Sequence, residues 1–151
     1  MIRDPSLRRA SGVEAARIGI STPTSEVLLA LPARPDAARQ ARRELLTRGL
    51  DDDISHTVTL LTTELIANAI RHADMDPARD RIVFFGRLAP DLVRIEVGDS
   101  GPGFSREDVS PESGFGMRLL SKLASRWGCE RSGQGFRVWF EVDRRRRRFQ
   151  R

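Results

Sequence analysis

Two polar side chains, a glutamate and an asparagine, stand one helical turn apart inside an apolar run of the chain. Glu64 and Asn68 fall at positions i and i+4, and His72 follows at i+8, so a helix would bring all three onto one side. Leu61 and Leu65 mark the adjoining apolar stripe. A carboxylate and an amide between leucines are costly to bury without partners, and a Mg²⁺ ion carrying phosphates would supply them. Taken alone, the pair is more simply interpreted as ordinary helix-surface residues.

A second polar group follows a strand-like run. Asp99 comes directly behind the alternating residues 92–97, and Gly101 and Gly103 follow it. Glycines at this spacing permit a positive φ and let a flat ligand approach the backbone closely. The carboxylate can accept a hydrogen bond from an exocyclic amine such as that of adenine. By itself the segment also fits an ordinary turn, because Asp, Ser, Gly and Pro are the usual turn residues.

A third motif, Gly114-Phe115-Gly116, precedes Met117 and the apolar residues of another helical run. The free N–H groups and the positive dipole end of a helix N-terminus favour phosphate. The motif is not a Walker A loop, because no Gly-Lys-Ser/Thr occurs in the chain. Nor is it a Rossmann fingerprint, because no strand-like run leads directly into it.

The elements that position these motifs are predicted from hydrophobic spacing and from end signals. The predicted helices run from Asp36 to a C-cap at Gly49, from residues 51–53 to about Ala73, and from Gly116 to Trp127 with Gly128 as its stop. The predicted strands are Val27–Leu31, Arg81–Leu88, Leu92–Val97 and Phe136–Val142, with a hairpin turn at residues 89–91. Strands in one layer and helices in the other favour a two-layer α/β sandwich. The domain is predicted at residues 25–143, between an N-terminal extension, residues 1–24, and an arginine-rich tail, residues 144–151.

The three motifs, taken together and in this order, resemble the N, G1 and G2 boxes of the GHKL ATPases, the superfamily of DNA gyrase, MutL and the sensor histidine kinases. From about Val27 to Val142 the chain resembles the bacterial anti-sigma-factor serine/threonine kinases. The segment at about 104–113 would then be a short ATP lid. The resemblance implies a Bergerat-type ATP-binding fold, a mixed and mainly antiparallel sheet with helices on one face.

The resemblance also implies roles for individual residues. Glu64 would be the catalytic general base, Asn68 would hold Mg²⁺, and Asp99 would read the adenine of ATP. The residues that it places at the nucleotide are Asn68, His72, Asp99, Gly101, Gly103, Gly114, Phe115, Gly116 and Met117.

By the same resemblance the protein would be a serine/threonine kinase that uses ATP and Mg²⁺. It would phosphorylate a STAS-type anti-anti-sigma partner, sequester a sigma factor and form a homodimer. Two departures from the family pattern bear on catalysis. Glu112 stands where these kinases commonly place an arginine near the terminal phosphate, and Phe136 and Arg137 replace a threonine that is often followed by lysine. ATP binding is therefore favoured over efficient phosphoryl transfer.

Other functions stay open. A non-catalytic, ATP-gated binding module would accommodate both departures, although it gives Glu64 no task. The catalytic half of a histidine kinase ranks lower, because the chain has no room for a phosphoacceptor helix pair. A nucleic-acid-binding protein ranks lowest, because the six arginines of residues 144–151 exceed the net charge of +5 and leave a nearly neutral body.

Length and composition are those of a globular protein. The 151 residues fit one domain, and no apolar run approaches the roughly 20 residues that span a bilayer. The N-terminus carries no signal-peptide core. The single cysteine, Cys129, suits a reducing compartment, so a cytoplasmic protein without membrane association is expected.

Overall fold

The computed structural model describes residues 23–50, 53–72, 75–99, 115–132 and 135–144, and these form five strands and three helices. In chain order the elements are β1 (Ser25–Pro32), α1 (Ala37–Thr47), α2 (Ser55–His72), β2 (Arg81–Leu88), β3 (Leu92–Asp99), α3 (Phe115–Leu123), β4 (Arg126–Ser132) and β5 (Gly135–Asp143). The strands make one sheet in the order β1-β2-β3-β5-β4. All four pairings are antiparallel, so the parallel component implied by a mixed sheet does not occur among the described strands.

Period-two burial gives the sheet one covered face and one open face. In β5 the residues Phe136, Val138, Phe140 and Val142 are buried, while the residues between them are half-buried. The buried strand residues share one core with buried residues of all three helices, so the helices lie on that side. The two-layer α/β sandwich expected from the sequence is confirmed.

The first helix ends as its sequence predicts. Gly49 has a φ of 93°, the left-handed conformation that glycine adopts without strain. The Leu50 N–H donates to the Leu45 carbonyl at 3.1 Å and the Gly49 N–H donates to the Leu46 carbonyl at 3.1 Å. This pair of bonds is a Schellman motif, which satisfies the last carbonyls of the helix and turns the chain toward α2.

The third helix is shorter than predicted, and its expected last turn belongs to a strand. The helix ends at Leu123, and the Ser125 N–H already donates to the Glu141 carbonyl of β5 at 2.8 Å. Trp127, assigned from its spacing to the helix, is buried in β4 opposite Phe140. The prediction was wrong because one turn of helical spacing cannot be told from the start of a strand without knowing the partner strand.

Gly128 is consequently a close-approach position rather than a helix stop. It pairs with Trp139 of β5, and a Cβ atom at residue 128 would lie 2.9 Å from the Trp139 indole ring. The Arg94 guanidinium lies 4.3 Å from the ring centroid of Trp139. The indole therefore has little room to move away from β4.

The open face carries a network of ion pairs over β3, β5 and β4. Arg94 binds Glu96 at 2.9 Å and Glu141 at 3.1 Å, and Arg126 binds Glu141 at 2.7 Å. Burial alone would raise the pKa of the Glu141 carboxyl, but the hydrogen bonds from Arg126 and Arg94 hold it below its ordinary value. The carboxylate is therefore charged at neutral pH and ties three strands together.

The chain beyond β5 stays attached to the fold for one residue more than predicted. Arg144, assigned from the sequence to a solvated tail, is buried. Its guanidinium donates to the Ala89 carbonyl at 2.9 Å, and its N–H donates to the Asp91 carbonyl at 2.8 Å. Both acceptors lie in the β2–β3 turn, which closes as predicted with an Ala89 N–H to Leu92 carbonyl bond of 2.9 Å. Within the described ranges, no helix combines the length and apolar character needed to cross a bilayer.

Candidate functional site

The helix α2 carries the predicted Glu64 and Asn68 on a scaffold that is fixed from both sides. Its residues Leu61 and Leu65 are buried in the core beneath the two polar side chains. On the other flank the Arg42 guanidinium of α1 donates to the Thr63 hydroxyl at 2.8 Å. The helix is therefore held against its neighbours through both apolar and polar contacts, and the two candidate side chains take their positions from it.

Asn68 and Glu64 differ in burial. Asn68 is 4% exposed, whereas Glu64 is half-buried. A buried amide needs hydrogen-bond partners, and Asn68 has one in Arg71, whose guanidinium donates to the amide oxygen Oδ1. The oxygen to which the sequence assigned a metal ion thus already meets a positive charge.

Arg71 is a site residue that had no role in the sequence interpretation. It lies three positions after Asn68, on the exposed side of the last turn of α2. The spacing i, i+3 was the available signal, because side chains three apart on a helix are neighbours. The signal is weak on its own, since most arginines at such positions face only solvent.

Asp99 is the last residue of β3 rather than the first residue after a strand. It pairs with Phe136 of β5 and is half-buried. Along β3 the residues Val93, Ile95 and Val97 are buried under the helices, and Asp99 continues the same alternation. Its carboxylate therefore belongs to the helix-covered face, at the end of the strand.

The three motif-bearing elements are neighbours in the fold. The helix α2, with Glu64 and Asn68, packs on β3, which ends at Asp99, and α3 packs on α2. The described part of α3 starts at Phe115, so Phe115, Gly116 and Met117 of the third motif lie in its first described turn. The fold thus brings together the helix with Glu64 and Asn68, the strand end with Asp99, and the helix that carries Phe115, Gly116 and Met117.

Part of the predicted site lies outside the described residues. Gly101, Gly103, Gly114, the lid at 104–113 and Glu112 belong to that part. For His72, Phe115, Gly116 and Met117 the structure gives the helical backbone, at the end of α2 and the start of α3. The roles of all these residues therefore stay predictions.

The structure shows where the side chains of Phe136 and Arg137, the second departure from the family pattern, lie on the sheet. Phe136 is 5% exposed and faces the helix-covered side beside Asp99, so an apolar ring stands where the family pattern has a hydroxyl. Arg137 points to the open face, where it binds Glu96 at 2.9 Å and also pairs with Glu130. The arginine is committed to the ion-pair network on the side away from the helices.

A groove of about 640 Å³ lies on the open face and touches the end of the site. Leu28, Val83 and Phe85 line its apolar side, and Gly98 and Asp99 line the end near β5. Most of its walls are outward-facing strand residues, but Asp99 and Phe136 also line it, so the groove reaches the end of β3 where the candidate carboxylate lies.

Comparison with known proteins identifies the kind of domain that this geometry belongs to. The sequence profile of the histidine kinase-like ATPase domain matches residues 28–142. Among solved structures, the chain is similar to the RsbU and RsbW domains of Rv1364c from Mycobacterium tuberculosis, with 24% identity and a TM-score of 0.60. That match covers 80% of this chain and 32% of the other.

A second solved structure has the same architecture. The catalytic domain of the histidine kinase ThkA is 15% identical, has a TM-score of 0.51, and is matched over 79% of this chain and 97% of its own. Similarities at these identities establish the fold. No curated protein matches the chain.

Proposed function

The chain belongs to the family of histidine kinase-like ATPase domains, which confirms the resemblance to the GHKL ATPases, and from this premise we propose that it binds ATP with Mg²⁺ and acts as an anti-sigma-type serine/threonine protein kinase. One observation carries the proposal. The helix with Glu64 and Asn68 packs on the strand that ends at Asp99, and the helix that opens at Phe115 packs on the first. These elements could together bind ATP: a carboxylate would bind the adenine, helix N–H groups would bind the phosphates, and an amide oxygen would bind the Mg²⁺ ion.

The donor chemistry at Asn68 fits a divalent cation. Its amide oxygen is a hard ligand of the kind that Mg²⁺ prefers, and the structure already holds a cationic group, Arg71, against that oxygen. A bound Mg²⁺ would supply charge neutralisation for the β- and γ-phosphates. The N–H groups at the start of α3 would bind phosphate oxygens, and the Asp99 carboxylate would accept a hydrogen bond from the adenine amine.

Glu64 would act on the substrate rather than on the nucleotide. It lies one turn before Asn68 on the same side of α2 and is only half-buried, so a hydroxyl from a partner protein can reach it. The carboxylate would accept the proton of that hydroxyl as it attacks the terminal phosphate. This role makes Glu64 the residue that separates a kinase from a nucleotide-binding module.

The partners rest on resemblance. We propose a STAS-type anti-anti-sigma protein as the phosphorylated substrate and a sigma factor as the sequestered partner. Support comes from the anti-sigma-kinase pattern of the sequence and from the similarity to a structure that contains an RsbW domain. Since the match covers 32% of that chain, its activity and partners are carried over as proposals only.

We also propose that the protein forms a homodimer, through the open face of the sheet. Leu28 is 72% exposed and Val83 is 48% exposed on neighbouring strands of that face. Arg87 and Glu26 pair at 3.9 Å at the margin of the patch, so both charge signs stand there and a second copy can meet each with its opposite. A second copy of the chain is the simplest partner that would cover this patch.

The second candidate function is an ATP-gated binding module without transferase activity. Phe136 favours it, because an apolar ring replaces a hydroxyl on the helix-covered side beside Asp99. Glu64 favours the kinase, because a binding module has no need for a base at that position. Both candidates require ATP binding.

ATP binding is tested by Asp99→Asn, with Asp91→Asn as the matched control in an exposed turn. The asparagine presents donors as well as an acceptor to adenine, so ATP affinity should fall about 10- to 100-fold, as for the loss of a charge-assisted hydrogen bond. The control should bind like the parent in calorimetric titration. Equal affinity of Asp99→Asn and the parent would contradict the adenine role of Asp99.

A further inference from the structure

The contact between Arg71 and Asn68 links an exposed cation to a buried ligand oxygen. Arg71 reaches back along α2 from a solvent-exposed position, and its guanidinium donates to Oδ1 of Asn68, which is 4% exposed. A hydrogen bond from a charged donor is roughly twice as strong as a neutral one. The bond therefore fixes which atom of the amide, oxygen or nitrogen, is presented at that point.

The described helix α2 contains one carboxylate, that of Glu64, and Arg71 does not pair with it. Among residues 53–72 and the other described ranges, no carboxylate lies within 4 Å of its guanidinium, including Glu64 two turns earlier. Its position in the last turn is favourable, because a cation near a helix C-terminus meets the negative end of the dipole. Both conditions hold the guanidinium at Asn68 when no other ligand is present.

We propose that Arg71 and a divalent cation compete for the Asn68 amide oxygen, so that Arg71 sets how strongly nucleotide binding depends on Mg²⁺. The inference rests on the proposed function. A guanidinium and a dication at one oxygen repel each other, since like charges at such distances interact strongly near a protein surface. Metal binding therefore requires Arg71 to swing outward, which its exposed position permits.

The competition predicts a coupling that a purely structural arginine would not show. In the parent, part of the metal's binding free energy is used to displace Arg71, so Mg²⁺ increases ATP affinity only modestly. When Arg71 is absent, its guanidinium no longer competes for the Asn68 oxygen, and Mg²⁺ should increase ATP affinity more. The quantity to measure is therefore the ratio of ATP affinities with Mg²⁺ and with EDTA, rather than either affinity alone.

The experiment compares that ratio in four proteins by calorimetric titration with ATP. Arg71→Gln removes the charge and should raise the ratio about 10- to 100-fold, the worth of one charge-assisted hydrogen bond. Arg71→Lys retains the positive charge and should stay near the parent. Arg79→Gln removes an exposed arginine that pairs with Asp76 at 3.1 Å, and it controls for net charge.

Two further proteins, Asn68→Ala and the double variant Asn68→Ala/Arg71→Gln, test whether the change in the affinity ratio depends on Asn68. In the Asn68→Ala background, the further change Arg71→Gln should leave the ratio unchanged, because the shared oxygen is gone. A rise in the ratio that persists without Asn68 would overturn the inference and assign Arg71 to general electrostatics. An unchanged ratio in Arg71→Gln, with ATP still bound, would overturn the inference alone. Failure of the parent to bind ATP would instead refute the proposed function and, with it, the competition.

Discussion

Replacement of Gly128 by alanine tests the part of the fold that the sequence misassigned. In β4 the added Cβ would lie 2.9 Å from Cζ2 of Trp139 and 3.0 Å from Cε2 and Nε1. These separations are shorter than carbon atoms tolerate, so either the strand or the indole must shift. The indole cannot yield easily, because the Arg94 guanidinium lies 4.3 Å from its ring centroid. If residue 128 were instead a helix stop, alanine would cause no such clash.

The expected loss of stability in Gly128→Ala follows from the cost of overpacking. Inserting a methyl group into a filled site costs about 1–3 kcal/mol, and a domain of this size loses about 2–4 °C in Tm for each kcal/mol. Gly128→Ala should therefore lower the Tm by about 2–12 °C in a thermal melt followed by circular dichroism. Gly98→Ala is the matched control, because a Cβ there would meet nothing closer than 3.8 Å. Its Tm should stay within about 2 °C of the parent.

A double-mutant cycle completes the test. Trp139→Leu removes the ring, so Gly128→Ala should cost much less in that background, and the two changes should be non-additive by more than about 0.5 kcal/mol. Equal Tm values for Gly128→Ala and Gly98→Ala would refute the close approach of the two strands.

Three further outcomes follow from the ion pairs, the chain end and the open face. Because the pKa of Glu141 is lowered in the fold, its stabilisation is present above the unfolded pKa and is lost as pH falls through the folded value. Glu141→Gln should thus melt about 2–4 °C below the parent at pH 7, with the difference shrinking as pH falls below the unfolded pKa and vanishing below the lowered folded pKa. A difference independent of pH would contradict the ion-pair account. Deleting residues 145–151 should leave the Tm within about 2 °C, whereas a deletion that includes Arg144 should lower it further by removing a buried hydrogen bond worth about 1.5–3 kcal/mol; equal melts for both deletions would contradict an anchoring role. Leu28→Glu should preserve the Tm, because the side chain is 72% exposed, while shifting the mass measured by light scattering from dimer to monomer; an unchanged dimer would move the interface elsewhere.

Most of the fold could be predicted from local signals in the sequence. The C-cap at Gly49 and the turn at residues 89–91 depend on residues within a few positions of each other, and both formed as expected. The alternation in β3 and β5 likewise reflects which face is buried, a property of each strand alone. The order of the motifs then identified the two-layer sandwich, which the structure confirms.

What the sequence could not predict depends on distant partners. The strand β4 forms by pairing with β5. The spacing of Trp127 fits a helix equally well unless its pairing with Phe140 is known. The burial of Arg144 needs the β2–β3 turn, which is about 55 residues earlier in the chain. The contact of Arg71 with Asn68 is local, but an arginine at i+3 is too common to single out.

The sequence predicts which elements carry the candidate site, and the roles of its residues stay predictions. Glu64, Asn68 and Asp99 lie on elements that pack together. The structure adds that Asn68 is already in contact with a cation and that Phe136, rather than Arg137, faces the same side as Asp99. The proposed kinase and the proposed binding module therefore differ mainly in what Glu64 does.

Phosphate transfer from labelled ATP to STAS-type partners, measured for the parent and for Glu64→Gln, tests this difference most directly. The glutamine keeps the size of the side chain and removes its basicity, so the transfer rate should fall about 10²- to 10⁴-fold. ATP affinity should stay within a few-fold of the parent, because in the proposed mechanism Glu64 acts on the incoming hydroxyl rather than on the nucleotide. Equal transfer rates for the two proteins would contradict the general base, and ATP binding without transfer by the parent to any such partner would replace the kinase with the binding module.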